Sequence, residues 1–161
     1  MLKRRNKTAV IGLGNYLMCD EGFGLHAVEI LRKKKYSSAI DFIDAGTPGM
    51  NLLHQLENRE KIIFIDAGDC GLKPGKFKRF RQEDVVSLKK EKNYSLHEFD
   101  LIKFLGTAKD MGKTGDIDLV IYCMQAAEIK MSLELSPKIK NTLPILIKEI
   151  YNELEGGKPH A

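Results

Sequence analysis

The run Lys61-Ile62-Ile63-Phe64-Ile65-Asp66 constrains this chain more tightly than any other stretch. Side chains along a strand point alternately to opposite faces, so an unbroken apolar run must be covered on both. That is the situation of an inner strand in a parallel sheet with helices on each side. The run closes on an aspartate followed by Ala67-Gly68, where backbone can approach a neighbour closely. Phe42-Ile43-Asp44-Ala45-Gly46 repeats the pattern of Phe64-Ile65-Asp66-Ala67-Gly68. The repeat is too short for a duplicated domain and reads as two strands that end alike.

The remaining pattern alternates strands with helices. Thr8 to Leu13 is a first strand stopped by Gly14-Asn15. Gly24, Ala27, Val28 and Leu31 fall at helical spacing, and Arg32 to Lys35 put positive charge at the negative end of the helix dipole, predicting a helix from about Gly22 to Lys35. Ile40 to Asp44 is a strand, Ala45 to Gly49 a turn and Met50 to Leu56 a short helix. After Lys61 to Asp66 and the turn Gly71 to Gly75, Lys76 to Arg81 is an edge strand, expected antiparallel. Ser95-Leu96-His97-Glu98 is a capping box that starts a helix at Leu96, with Leu101, Ile102, Leu105 and Ala108 inward. Ile117 to Met124 is the last strand. Ser136-Pro137 opens a helix with a capping hydroxyl, and the stripe Ile139, Leu143, Leu146, Ile150, Leu154 stays in phase past Pro144, predicting one kinked helix. Gly156-Gly157 stops it and 158–161 is a loose tail. Alternating strands and helices predict right-handed parallel crossovers. The expected fold is α/β, a single three-layer domain over 1–161 with a twisted, mostly parallel sheet of about five strands between helices.

Composition excludes more than it proposes. A chain of 161 residues is long enough for its own core. Its 26 Lys and Arg against 22 Asp and Glu are spread along the chain. Lys76 to Arg81 interleaves basic and aromatic side chains as a nucleic-acid surface does, yet a charge-protected edge strand is the more ordinary explanation, and no nucleic-acid partner is expected. No apolar run, Leu143 to Ile147 among them, approaches the ~20 residues of a bilayer span, so no membrane partner is expected. No export signal is visible. Cys19, Cys70 and Cys123 are far apart, neither a disulfide framework nor a paired zinc motif, which suits a reducing cytosol and a cytoplasmic protein.

In an open parallel sheet the loops after the strands' carboxyl ends share one edge, where ligands bind. That edge receives Asp20 and Glu21, then Asp44 and Thr47, then Asp66 and Asp69, and His97 joins them from a helix start. Helix-start amides disfavour a charged imidazole and leave it in the metal-binding form. Glu21, Asp66 and His97 together suit zinc, nickel or manganese with positions left open. Plainer readings stand beside these: Asp20 as N-cap of the first helix, Glu21 as a first-turn acid, Asp44 as brace of its own turn, His97 as a surface residue. Cys70 next to Asp69 is a disfavoured nucleophile because nothing activates it, and Cys19 and Cys123 are apolar fillers. Gly12-Leu13-Gly14-Asn15-Tyr16-Leu17 lacks the third glycine of a dinucleotide fingerprint, so no organic cofactor is expected; Asn15 instead fixes the loop that presents Glu21.

Gly12-Leu13-Gly14-Asn15, Leu17, Asp20-Glu21-Gly22 and Gly24 together resemble the opening motif of the hydrogenase maturation endopeptidases, which process nickel-iron hydrogenase large subunits. Asp44 to Met50 resembles their second motif and Ile65-Asp66-Ala67 their third. His97 stands at the place of their metal-binding histidine, and Leu135-Ser136-Pro137 is similar to their C-terminal pattern. The resemblance implies an aspartyl-type peptidase that removes a C-terminal extension from a large-subunit precursor after nickel insertion. Glu21, Asp66 and His97 would be the metal contacts, Glu21 and Asp66 the catalytic carboxylates, and the nickel would be held by the precursor. That precursor is the expected partner, and the chain is expected to be a monomer. The alternatives are a stand-alone zinc hydrolase of small amides or peptides and a non-catalytic metal-sensing docking partner.

Overall fold

A computed structural model describes residues 6–34, 39–84 and 100–156. The strands are β1 (Thr8–Leu13), β2 (Ile40–Gly46), β3 (Lys61–Gly68), β4 (Phe77–Arg81) and β5 (Asp118–Gln125), in the order β2-β1-β3-β5-β4. The first three contacts are parallel, and β4 closes the edge antiparallel to β5, as expected for the charged strand. The helices are α1 (Phe23–Lys33), α2 (Met50–Leu56), α3 (Asp100–Asp110) and α4 (Pro137–Leu154), with a 3-10 turn at Cys19–Gly22 before α1. α4 runs through Pro144 as one helix. The expected start at Leu96 and the tail 158–161 lie outside the described residues.

Strand alternation builds two cores. Ala9, Ile11, Leu13, Ile62 and Phe64 face α2 and α3 through Leu52, Leu56, Leu101 and Leu105. Val10, Ile63 and Ile65 face α1 and α4 through Val28, Leu31, Ile139, Leu146 and Ile150. Ile62 to Ile65 are wholly buried, and each such side chain contributes roughly 1.5–3 kcal/mol of transfer free energy. The three-layer α/β reading holds.

Away from the carboxyl edge, α4 is fastened to the sheet by a buried carboxylate. Glu153 accepts from the Tyr122 hydroxyl at 2.6 Å, from Arg79 Nε at 3.0 Å and Nη2 at 2.7 Å, and from Lys61 Nζ at 3.0 Å. Burial alone would raise its pKa, but Arg79, Tyr122 and Lys61 hold it down at about 2. The fastening joins β3, β4 and β5 to the last turn of one helix.

Candidate active site at the carboxyl edge

Past β1 the chain closes a small ring. Asn15 N–H donates to the Glu21 carbonyl at 3.2 Å, Met18 N–H to the Asn15 carbonyl at 3.2 Å, and Glu21 N–H to the Met18 carbonyl at 3.2 Å. The Asn15 side-chain oxygen accepts from Leu17 N–H at 2.9 Å, so Asn15 does hold the loop that carries Glu21. Gly14 has φ +134°, and a methyl group there would lie 1.7 Å from the Glu21 carbonyl oxygen, so only glycine lets the ring close. Gly24 is constrained from two sides, since a methyl group on it would lie 2.1 Å from the Ile65 carbonyl oxygen and 2.5 Å from that of Leu13. The missing side chain seats the start of α1 directly on the ends of β1 and β3. Glu21 lies three residues before Gly24 and Asp66 one residue after Ile65, and the 3-10 turn packs on β3. Glu21 is half-buried, whereas Asp66 is buried and accepts from the Ala67 N–H at 2.9 Å. Asp66 lies within β3, which continues to Gly68, rather than ending it.

His97 and the capping box around it lie outside the described residues. Among the described residues no three His, Cys, Asp or Glu side chains gather as a metal-binding group. Of the expected contacts, Glu21 stands on the 3-10 turn before α1 and Asp66 near the end of β3.

Asp20 corrects the expectation that it caps the first helix. α1 starts after Gly22 without a side-chain cap. Asp20 is wholly buried and turns instead to the segment after β5, accepting from Ala127 N–H at 2.9 Å and Glu128 N–H at 2.7 Å. It also accepts from Ser136 N–H at 2.8 Å and the Ser136 hydroxyl at 2.9 Å. Ser136 is the N-cap residue of α4, yet its hydroxyl makes no bond to that helix. A buried carboxylate needs donors, and it takes this one. Burial, reinforced by the neighbouring Asp20 charge, raises the pKa of the Cys19 thiol, which stays an apolar filler.

The reading of the other cysteines also changes. Cys70 and Cys123 form a disulfide, so Cys70 is neither a free thiol nor a nucleophile and Cys123 is not a lone filler. Separation in sequence concealed the pairing: β3 and β5 are neighbours, Cys123 stands opposite Asp66 in their register, and the loop after β3 folds back across β5. Gln125 holds the same loop, its side-chain oxygen accepting from Cys70 N–H at 2.8 Å and Leu72 N–H at 3.2 Å.

Asp44 braces its turn as expected, accepting from Gly46 N–H at 3.3 Å, and Asp69 does likewise for Gly71 at 3.1 Å. Asp44 and Thr47, with Pro48, Met50 and Gln55, line an open cleft of about 480 Å³ beyond β2. Tyr16 stacks edge-on against His26 at 5.2 Å, and burial together with the Asp44 charge raises the pKa of its hydroxyl. Among the described residues, no helix is long and apolar enough to cross a membrane.

Comparison with known proteins matches this chain and its fold to one group. The hydrogenase maturation protease family model (HycI) matches residues 25–153. The hydrogenase expression/formation protein HupD of Bradyrhizobium diazoefficiens is 31% identical over 139 residues, covering 86% of this chain and 72% of that protein. The hydrogenase maturating endopeptidase HybD from E. coli superposes with a TM-score of 0.79 at 25% identity over 93% of both chains. The [NiFe] hydrogenase maturation protease HybD from Thermococcus kodakarensis does so at 0.73 and 28% identity, over 92% of this chain and 98% of that one. The chain is therefore a hydrolase of the peptidase class and belongs to the hydrogenase maturation protease family.

Proposed function

We propose that this protein removes a C-terminal extension from a nickel-iron hydrogenase large-subunit precursor, once nickel has been installed. Glu21, Asp66 and His97 contact the nickel, which is part of the substrate and is held by the precursor's own cysteines. The observation that carries this reading is the approach of Gly24 to Ile65, which delivers the Glu21 turn and Asp66 to one short stretch of sheet edge in a family member. A nickel with open positions suits two carboxylate oxygens and one imidazole nitrogen.

In this reading the metal acts as a template. Its coordination by Glu21, Asp66 and His97 sets the precursor's scissile carbonyl against the edge, which supplies orientation. A water at that position attacks the carbonyl carbon and passes a proton to a carboxylate of the pair, which returns it to the amide nitrogen as the C–N bond breaks and the amine leaves. The half-open Glu21 carries the exchange with solvent, whereas Asp66 is the fixed member.

The test is incubation of the purified protein with nickel-loaded and nickel-free precursor, followed by intact-mass measurement. Loss of the extension from the nickel-loaded form alone is expected; equal processing of both forms removes nickel from the reading. His97→Ala should abolish processing while leaving the melting curve in place.

A further inference from the structure

Residues 127–136, between β5 and α4, are held by an unusual number of bonds for a surface loop. Asp20 takes its two ends, Ala127 and Glu128 on one side and Ser136 on the other. Its middle is pinned by Cys19 N–H to the Ser132 carbonyl at 2.9 Å and Ser132 N–H to the Leu17 carbonyl at 2.9 Å. Leu135 and Ala127 turn inward with this anchoring, yet the middle of the loop points its apolar side chains outward. Ile129 is 57% exposed, Met131 88% and Leu133 65%, and the Met18–Ser132 bridge brings Leu17, 59% exposed, alongside. The loop's charges pair locally, Lys130 with Glu128 and Glu134 with Lys140. Beside these exposed ion pairs stand four outward-facing apolar side chains on a backbone held in place.

Fixed apolar side chains cost free energy in water and mark an interface when they cluster. Rigidity adds to the point, since a preformed surface loses little entropy on binding. Its place decides the occupant. Leu17 belongs to the same closed ring as Glu21, so the patch flanks the edge that carries Glu21, and a large partner seated over that edge lies against it. A second copy of this chain seated there would obstruct the edge on which the substrate has to lie.

We infer that Leu17, Ile129, Met131 and Leu133 form the docking surface for the folded body of the large-subunit precursor. This rests on the function proposed above. The surface recognises an apolar patch on that partner and leaves the metal and the scissile bond to the carboxylates.

The experiment compares wild type with Met131→Glu/Leu133→Glu and with Ile145→Glu, an exposed apolar residue on α4 outside the loop. Nickel-loaded precursor is the substrate for steady-state processing, and the same precursor, immobilised, reports binding. The double variant should raise KM and weaken binding by roughly 10-fold or more with kcat changed little, and Ile145→Glu should match wild type. Unchanged KM and binding in the double variant overturn the docking surface while leaving the proteolysis intact. A lower melting temperature with unchanged affinity also overturns it, showing that the chain itself uses the patch. So does a concentration-dependent dimer in wild type, lost in the variant without change in KM. If wild type fails to cleave at all, the proposed function fails, and the binding comparison still decides the surface.

Discussion

Asp20 and Glu21 carry the same charge on adjacent residues, yet one is sealed in the protein and the other reaches its surface. Asp20 receives three backbone amides and a hydroxyl, whereas Glu21 contributes its backbone to the ring and leaves its carboxylate at the edge. Their substitutions should therefore separate. Asp20→Ala strands buried donors and should cost about 3 kcal/mol or more, a fall in melting temperature of roughly 6–12 °C for a chain this size. Glu21→Gln should move the melting temperature by no more than about 2 °C and abolish precursor processing. A stable Asp20→Ala protein counts against the anchoring role, and an active Glu21→Gln protein counts against the proposed site. The chemistry of the pair is legible from residue type, but the division of labour is not, because Asp20's partners lie 107 to 116 positions away.

At the scale of elements, two long-range fastenings make predictions that can be measured independently. Glu153 ties α4 to β3, β4 and β5, with a folded pKa of about 2 against an ordinary value of 4.5. A depressed carboxylate stabilises the fold fully above its unfolded pKa and loses that contribution as pH falls from about 4.5 toward 2. Denaturant titrations across that window should show falling stability in wild type. Glu153→Gln should lose roughly 2–4 kcal/mol at pH 7 and show a flatter acid limb. The Cys70–Cys123 bridge ties the loop after β3 to β5 and spans 53 residues, so reducing it should cost about 2–4 kcal/mol. Alkylation of unfolded protein should modify one thiol, that of Cys19, before reduction and three after it. Modification of all three without reductant would remove the bridge. Neither fastening is legible along the chain: Glu153 sits in a helix rich in Lys and Glu, and the cysteines lie on segments that only the sheet order makes adjacent.

For the whole molecule, sheet order sets the pattern of stability. β1, β3 and β5 are paired on both sides, while β2 and β4 are edges. Native-state hydrogen exchange should therefore be slowest in Val10, Ile63 and Val120 and faster in β2, whose residues are at most half-buried. Exchange from β1 as fast as from β2 would contradict the sheet order. The fold class, strand positions and amphipathic faces were determined by the sequence itself, because two-faced apolar runs and helical stripes are local patterns with few packing solutions. So were the charged edge strand, the turn braced by Asp44 and the ring held by Asn15, which depend on neighbours only a few residues off. Tertiary structure alone decided that Asp20 anchors the loop after β5, that Cys70 meets Cys123, and that Leu17 joins Met131 in one exposed patch. Burial, cross-linking and surface clustering are relations between distant segments, and they exist only once the strands have taken their places in the sheet.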